Sequence, residues 1–381
     1  MRYLRYFIII FFILTLTSCA AFLGNDTAEQ HSPKYTSITV KETDWITPEI
    51  TVSAIGDILI HDRIYNDAWN GYTYDFKPML AEVADDLSES DITVANQETI
   101  MGGEDIGLSG YPNFNSPFEI GDALQDAGVD MITMANNHTL DKGEEGIQNA
   151  IAYYKKIGMS YTGSFQNADD QSDISVLETD QGISVAFLSY TYGVNGMPIP
   201  DGKPYLVNLI DRQQIKKEVE KANKLADATI VSFHFGKEEE RMPNQDQKDL
   251  AQYAADLGVD VVIGNHPHVL QPAEWLEGKD GNETLVAYSL GNFLSGQYQF
   301  YNRIGGILEF KLVKEGDDVH VEEPAFQPTF VEFEENDGTM KNVQVIPLEQ
   351  ASAEQMENRN DVMAEMQEHM SQWIPELEWG E

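Results

Sequence analysis

Apolar positions recur along this chain with two spacings, two and three-to-four, and the alternation between them predicts its elements. Ile50, Val52, Ala54 and Ile55 form a β-rich run that ends at Gly56-Asp57. Phe76, Met79, Leu80, Val83 and Leu87 have helical spacing, which predicts a helix over 76–90 and then a strand over 91–95. A helix over 118–127 stops at Gly128, an apolar strand follows to Ala135, and a helix over 143–157 stops at Gly158. Residues 174–178 and 183–190 read as paired strands around Gly182, and the Gly/Pro-rich stretch 192–204 reads as a long loop able to cover a cleft. Beyond it come a helix over 211–226, a strand over 228–233, a helix over 246–257, and strands over 259–264 and 284–290. Residues 305–313 and 319–332 read as a final antiparallel pair, and 349–373 as a Met- and Glu-rich helical tail at the periphery. Strands alternating with helices indicate an α/β fold. No Gly/Ser linker interrupts 49–345, so the expected organisation is one compact domain over 49–345 with a C-terminal tail over 346–381.

Two of these units echo each other: DAGVD-MITMA-NNH, ending at His138, and DLGVD-VVIG-NHPH, ending at His268. In each, a helix ends at a glycine (Gly128, Gly258), a strand follows, and carboxamide and imidazole side chains sit just past it. Open α/β sheets place their sites outside the carboxyl ends of strands. Five of the eight histidines (His61, His138, His234, His266 and His268) lie within a few residues of a predicted strand end; His31, His320 and His369 do not. Asp57, Glu98, Asn136, Asn137 and Asn292 occupy comparable positions. Imidazole, carboxylate and carboxamide oxygen together suit Mn²⁺, Zn²⁺ or Fe²⁺ better than Ca²⁺ or Mg²⁺. In extended geometry residues two apart face the same side, so both rings of His266-Pro267-His268 are expected to reach one site or two adjacent ones.

Charge narrows the partners. The 381 residues carry 24 Lys plus Arg against 64 Asp plus Glu, a net of −40. Such a surface lacks the clustered cations that nucleic-acid backbones and anionic lipid require. The amino terminus has its own logic: Arg2 and Arg5 precede an unbroken apolar run from Phe7 to Leu14, and Leu16-Thr17-Ser18-Cys19 matches a bacterial lipobox. Cys19 is the only cysteine and the expected site of lipid attachment. Residues 1–19 are thus expected to be a lipoprotein signal segment and residues 20–48 a flexible tether, with the protein on the extracytoplasmic face of a bacterial membrane. Removing Arg2 and Arg5 leaves 22 basic against 64 acidic side chains, a net of −42.

Six ordered motifs carry a family resemblance: Gly56-Asp57-x3-His61, Ala95-Asn96-x-Glu98, Asn136-Asn137-His138-x2-Asp141, His234-x-Gly236-x-Glu238, Gly264-x-His266-Pro267-His268 and Ser289-Leu290-Gly291-Asn292-Phe293. From about Thr51 to Ser295 the chain resembles the CapA/PgsA family of capsule or poly-γ-glutamate biosynthesis proteins, whose domain is similar to calcineurin-like metallophosphoesterases. The resemblance implies a metallophosphatase-like four-layer α/β/β/α sandwich with two mixed sheets. It also implies two divalent ions (Mn, Zn or Fe), with Asp57, His61 and His268 on the first and Asn137, His234 and His266 on the second. Glu98 stands for the bridging carboxylate, His138 for the general acid and Asp141 for a second catalytic residue, while Asn96, Asn136, Glu238 and Asn292 flank the site beside the substrate. Which of Asn136 and Asn137 is the ligand stays open. Several positions depart from the patterns: Asp57-x3-His61 replaces Asp-x-His, and Glu98 replaces an aspartate. Gln97 stands where leucine is common, and Phe235 where tryptophan is common.

A dinuclear site generates a nucleophile at neutral pH and clamps charge developing on the substrate, and phosphoester hydrolysis and amide cleavage fit it equally. Further partners implied by the resemblance are poly-γ-glutamate or another anionic polymer and membrane synthase subunits. The alternatives are a non-catalytic assembly factor and a secreted phosphoesterase of unrelated substrate. A strongly acidic protein repels a polyanion at low salt, but screening beyond about 8 Å leaves room for local attraction. Lys203, Lys237, Arg241 and Arg303 are the cations in loops near the expected site.

Overall fold

A computed structural model describes residues 47–380. The signal segment with Cys19, and all but the last two residues of the expected tether, lie outside the described residues. In chain order the first part forms β1 (Glu49–Leu59), α1 (Asp62–Ala68), α2 (Lys77–Leu80), α3 (Ala84–Glu89), β2 (Ile92–Gln97), α4 (Glu119–Asp126), β3 (Met131–Thr133), α5 (Gly143–Ile157) and β4 (Ser160–Thr162). The middle forms α6 (Ala168–Ser172), β5 (Ser175–Glu178), β6 (Ser184–Thr191), α7 (Arg212–Ala222), β7 (Ala228–His234), α8 (Gln245–Ala255), β8 (Val261–Asn265), β9 (Leu270–Glu277) and β10 (Glu283–Leu290). The last part forms β11 (Asn292–Ser295), β12 (Ile304–Glu315), β13 (Asp318–Asn336), β14 (Thr339–Pro347), α9 (Arg359–Ser371) and β15 (Glu378–Trp379).

These strands make two mixed sheets. The first runs β14-β13-β12-β1-β2-β3-β4, with β11 beside β1 and β15 beside β13. The second runs β5-β6-β7-β8-β10-β9. Strands β1 to β4 are parallel to one another, as are β6, β7, β8 and β10, and antiparallel strands complete each sheet. The period of two along the parallel strands accounts for the layering. Ile50, Val52, Ala54, Ile92 and Val94 of the first sheet meet Val185, Phe187, Ile230, Val261 and Ile263 of the second in one apolar layer. Their neighbours in sequence point outward: Ile55, Ala95 and Ile132 against α4 and α5, and Ala186, Leu188, Val231 and Val262 against α7 and α8. Helix, sheet, sheet and helix is the four-layer, metallophosphatase-like order that the resemblance implies.

Three local expectations are corrected. The helix over 76–90 breaks into α2 and α3 around a turn at 81–83, yet Met79, Leu80, Val83 and Leu87 remain buried in one core. Apolar spacing reported the buried face rather than helical continuity. Secondly, the final antiparallel pair gains a third strand, β14, whose Met340, Val343 and Val345 are buried although Lys341, Asn342 and Gln344 interrupt the pattern. Thirdly, the tail is not peripheral. Val362, Met366 and Met370 of α9 form a stripe at four-residue spacing that enters the layer between the sheets, followed by Ile374 and Leu377. Among the described residues no helix is long and apolar enough to cross a membrane.

Candidate metal centre

The strand phase that builds the inter-sheet layer also aims the polar residues at its carboxyl end. In β2, Ile92 and Val94 face the second sheet, so Asn96 does too; Ala228 and Ile230 set the phase for Ser232 and His234, and Val261 and Ile263 for Asn265. Asp57 needs a correction of phase, because uninterrupted alternation from Ile50 would turn it outward. The register between β1 and β2 slips at Gly56, where Ile55 opposes Ala95 and Asp57 opposes Asn96. The bulge turns Asp57 inward. Only glycine fits there, since a Cβ on Gly56 would lie 2.1 Å from the Gly291 carbonyl oxygen. Gly291 itself has φ +66° and carries the chain from β10 in the second sheet to β11 in the first.

Six donors converge. Asp57, Glu98 and His268 form one group, Glu98, His234 and His266 a second, and Glu238, His266 and His268 a third; within each group the ligand atoms lie within 4.8 Å of one another. Glu98 belongs to the first two. His268 Nδ1 lies 3.3 Å from Asp57 Oδ2, 3.6 Å from Glu98 Oε2 and 3.0 Å from Asn292 Oδ1. His234 Nε2 lies 3.7 Å from Glu98 Oε1 and 2.9 Å from Asn137 Oδ1. Asn96 Nδ2 donates to Asp57 Oδ1 at 2.7 Å and so holds that carboxylate in place.

The geometry separates the two asparagines. Asn136 is spent on backbone: its Nδ2 donates to the Gln97 carbonyl at 2.8 Å and its Oδ1 accepts from the His138 N–H at 3.0 Å. Asn137 instead turns its oxygen toward His234, while its amide nitrogen faces Asn195 Oδ1 at 3.5 Å and the Tyr192 hydroxyl. Of the two, Asn137 is the one whose side-chain oxygen faces a converging donor, His234.

Electrostatics make the demand for cations specific. Glu98 is fully buried and neither carboxylate oxygen has a hydrogen-bond partner among the described residues. Burial pushes its carboxyl well above the usual range, His268 pulls it back, and Asp57 pushes it up again. Burial works against a charged His268, yet Glu98 and Asp57 hold its imidazolium up to about 10. Burial, then the other histidines, drives His234 well below the ordinary value and His266 to about 3. His266 Nδ1 is also buried without a partner. Two imidazoles held neutral, one of them with an open nitrogen, beside a carboxylate with two open oxygens are a donor set that fits divalent ions.

His138 lies beside this centre with Asp141. Its Nδ1 is 2.7 Å from Asp141 Oδ2, which also accepts the Phe114 N–H at 2.7 Å. His61, expected on the first metal, does not join the converging groups. Its Nδ1 is 3.1 Å from the Leu59 carbonyl oxygen and 3.2 Å from the Gly296 nitrogen, and burial lowers its pKa to about 4. The Phe114 ring stands edge-on to both His61 and His138, with centroids 5.1 and 4.7 Å away. The extended geometry expected for His266-Pro267-His268 is not found: φ is +98° at His266 and +58° at His268, yet the ring centroids lie 5.9 Å apart. Both rings face one pocket because the backbone is strained, a condition met mainly at functional sites. The four nearby cations are all engaged. Lys203 pairs with Glu144, Lys237 with Glu240, Arg241 with Glu365, and Arg303 donates to Gln355 and the Val331 carbonyl.

Sequence reasoning missed Tyr192, Asn195 and Phe114. Tyr192 follows β6 directly, as the other site residues follow their strands, and its ring lies over His266 and His234 with centroids 4.6 and 6.4 Å away. That placement was the available signal. Beneath the centre, Asn265 Nδ2 donates to Ser232 Oγ at 3.1 Å and Thr133 Oγ1 to Asn96 Oδ1 at 3.2 Å, a polar floor between the sheets.

Among known proteins, the model of the family "Bacterial capsule synthesis protein PGA_cap" matches residues 51–297. The PGA biosynthesis protein CapA of Bacillus subtilis (strain 168) is 28% identical over 211 residues, 53% of this chain and 54% of that protein. The chain thus matches only about half the length of that relative. The capsule biosynthesis protein CapA of Bacillus anthracis is 27% identical over 294 residues, 73% of this chain and 69% of that one. A crystal structure of the calcineurin-like phosphoesterase YfkN from Bacillus subtilis is a remote structural resemblance, with TM-score 0.43 and 14% identity over 84% of this chain and 99% of that one. With the matched segment running from β1 to just past β11 and containing all six converging donors, the chain belongs to the bacterial capsule synthesis protein PGA_cap family.

Proposed function

We propose that this protein is a metal-dependent hydrolase of capsule production. It is tethered through Cys19 to the extracytoplasmic face of the cell membrane and acts on poly-γ-glutamate, or a similar anionic polymer, beside membrane synthase subunits. The observation that carries the hydrolase reading is Glu98: a buried carboxylate with both oxygens open, common to two sets of ligand atoms. Family membership and the names of the two CapA relatives support the capsule setting, and the lipobox around Cys19 supports the tether.

In this reading Asp57, Glu98 and His268 would hold one divalent ion, and Glu98, Asn137, His234 and His266 the other. Such a pair supplies an activated water at neutral pH and a positive clamp for charge developing on a phosphoryl or acyl oxygen. The protein does the positioning. Asp141 fixes the His138 ring through Nδ1, so that Nε2 can protonate a leaving group, a contribution of about 10²–10⁴ in rate. Phe114 packs on His138 and limits water beside it. Tyr192 covers the His234–His266 pair and keeps the Asn137 oxygen turned inward.

The test is metal analysis of protein lacking residues 1–19, paired with a hydrolysis screen on phosphodiesters and poly-γ-glutamate. Close to two equivalents of Mn, Zn or Fe are expected, with hydrolysis abolished by His268→Ala or Asp57→Ala. Polymer output that survives both substitutions would instead assign a non-catalytic assembly role. The tether is tested separately: Cys19→Ser should end both acyl labelling and partition into detergent.

A further inference from the structure

We propose that Glu238 sets the charge of the group the centre accepts, selecting a reacting group with no more than one negative charge, such as a linkage within a chain, over a terminal phosphomonoester dianion. This rests on the hydrolase reading above.

Glu238 is exposed, and its carboxylate lies among the ligand atoms of His266 and His268, within 4.8 Å. It has no hydrogen bond or ion pair among the described residues. The adjacent cation does not neutralise it, because Lys237 pairs with Glu240. The turn that presents it is built rather than loose. Gly236 and Glu239 both have positive φ (+97° and +64°), and the Glu239 N–H donates to the Pro267 carbonyl at 2.8 Å. Gln271 Nε2 donates to the Glu240 carbonyl at 2.7 Å. Two left-handed turns, one carrying Glu238 and the other the two histidines, are thus tied back to back.

Two divalent ions against Asp57 and Glu98 leave two positive charges, enough for a dianion. A third carboxylate at the mouth leaves one, which a singly charged group balances and a doubly charged one exceeds. No unpaired cation from Lys203, Lys237 or Arg241 restores the difference. At about 5 Å and an effective dielectric near 20, one extra unit of charge on the ligand is disfavoured on the order of 100-fold.

The test uses the full chain loaded with Mn²⁺ and measures, by calorimetry at pH 8, the affinities of inorganic phosphate, chiefly dianionic, and of dimethyl phosphate, a monoanion. The control is Glu239→Gln, which removes a neighbouring exposed charge outside the three donor groups. Glu238→Gln is expected to improve phosphate relative to dimethyl phosphate about 10- to 100-fold, with unchanged metal stoichiometry, and Glu239→Gln to leave the ratio as it was. An unchanged ratio in Glu238→Gln, or an equal change in Glu239→Gln, overturns the inference alone. Loss of a metal equivalent in Glu238→Gln overturns it too, by making Glu238 a ligand. If neither anion binds the loaded wild-type protein, the hydrolase reading falls and takes the inference with it.

Discussion

Replacing Glu98 by glutamine should change stability in opposite directions with and without metal. Without metal, Glu98 brings a carboxylate into the interior with no hydrogen-bond partner, beside a second carboxylate, Asp57; only His268 compensates it. Burial is the larger effect, so its pKa is raised in the folded state. A raised carboxyl contributes stability that is complete below the unfolded value, near 4.3, and that is lost as pH climbs toward the folded value. Each pH unit in that window costs about 1.4 kcal/mol. Glutamine keeps the size and does not titrate, so chelator-treated Glu98→Gln should be the more stable protein at pH 7, by about 1–3 kcal/mol, and the gain should vanish near pH 4. With metal at about 100 times its Kd the wild type gains about 2.7 kcal/mol per occupied site, roughly 3–4 °C in Tm per site for a chain of this size. The variant, missing the carboxylate common to both sets of donors, should gain little. The assay is thermal and urea denaturation in chelator and in Mn²⁺, at pH 4 and pH 7. If Glu98→Gln is destabilised equally in both media, Glu98 is a packing residue and the two-metal argument fails.

Three more outcomes follow from named contacts. Asn137→Ala should weaken one metal equivalent about 10- to 100-fold, as loss of an oriented ligand does, whereas Asn136→Ala should leave metal affinity and lower stability by about 1–3 kcal/mol; calorimetric metal titration separates them. Asp141→Asn should lower kcat about 100-fold while two metals stay bound, because His138 loses the charged acceptor at its Nδ1; stopped assays with metal analysis check it. Met366→Ala, in the helix at first expected to lie outside the core, should cost about 2–5 kcal/mol in urea denaturation, since Met366 is buried between the sheets.

The alternation of Ile50, Val52 and Ala54, of Ala228 and Ile230, and of Val261 and Ile263 was enough to place strands and their polar ends, because a strand's two faces differ by a single residue of phase. The motifs at those ends carried the family resemblance, and the resemblance implied the layer order that the two sheets adopt. Several things were not readable along the chain. Gly56 reverses the phase of β1 through a slip against β2, so Asp57 faces inward only once a neighbouring strand exists. Asn136 and Asn137 are chemically identical, and the Gln97 carbonyl, Tyr192 and Asn195 divide their roles. His61, whose spacing from Asp57 already departs from the Asp-x-His pattern, stands outside the converging groups with its Nδ1 between the Leu59 carbonyl and the Gly296 nitrogen. The tail's burial depended on an open edge between two sheets that are each assembled from distant segments. Local periodicity is a property of a residue and its neighbours in sequence, whereas hydrogen-bond partners, side-chain convergence and burial depend on which atoms arrive from elsewhere; the first was legible in the sequence, and the tertiary structure alone decided the second.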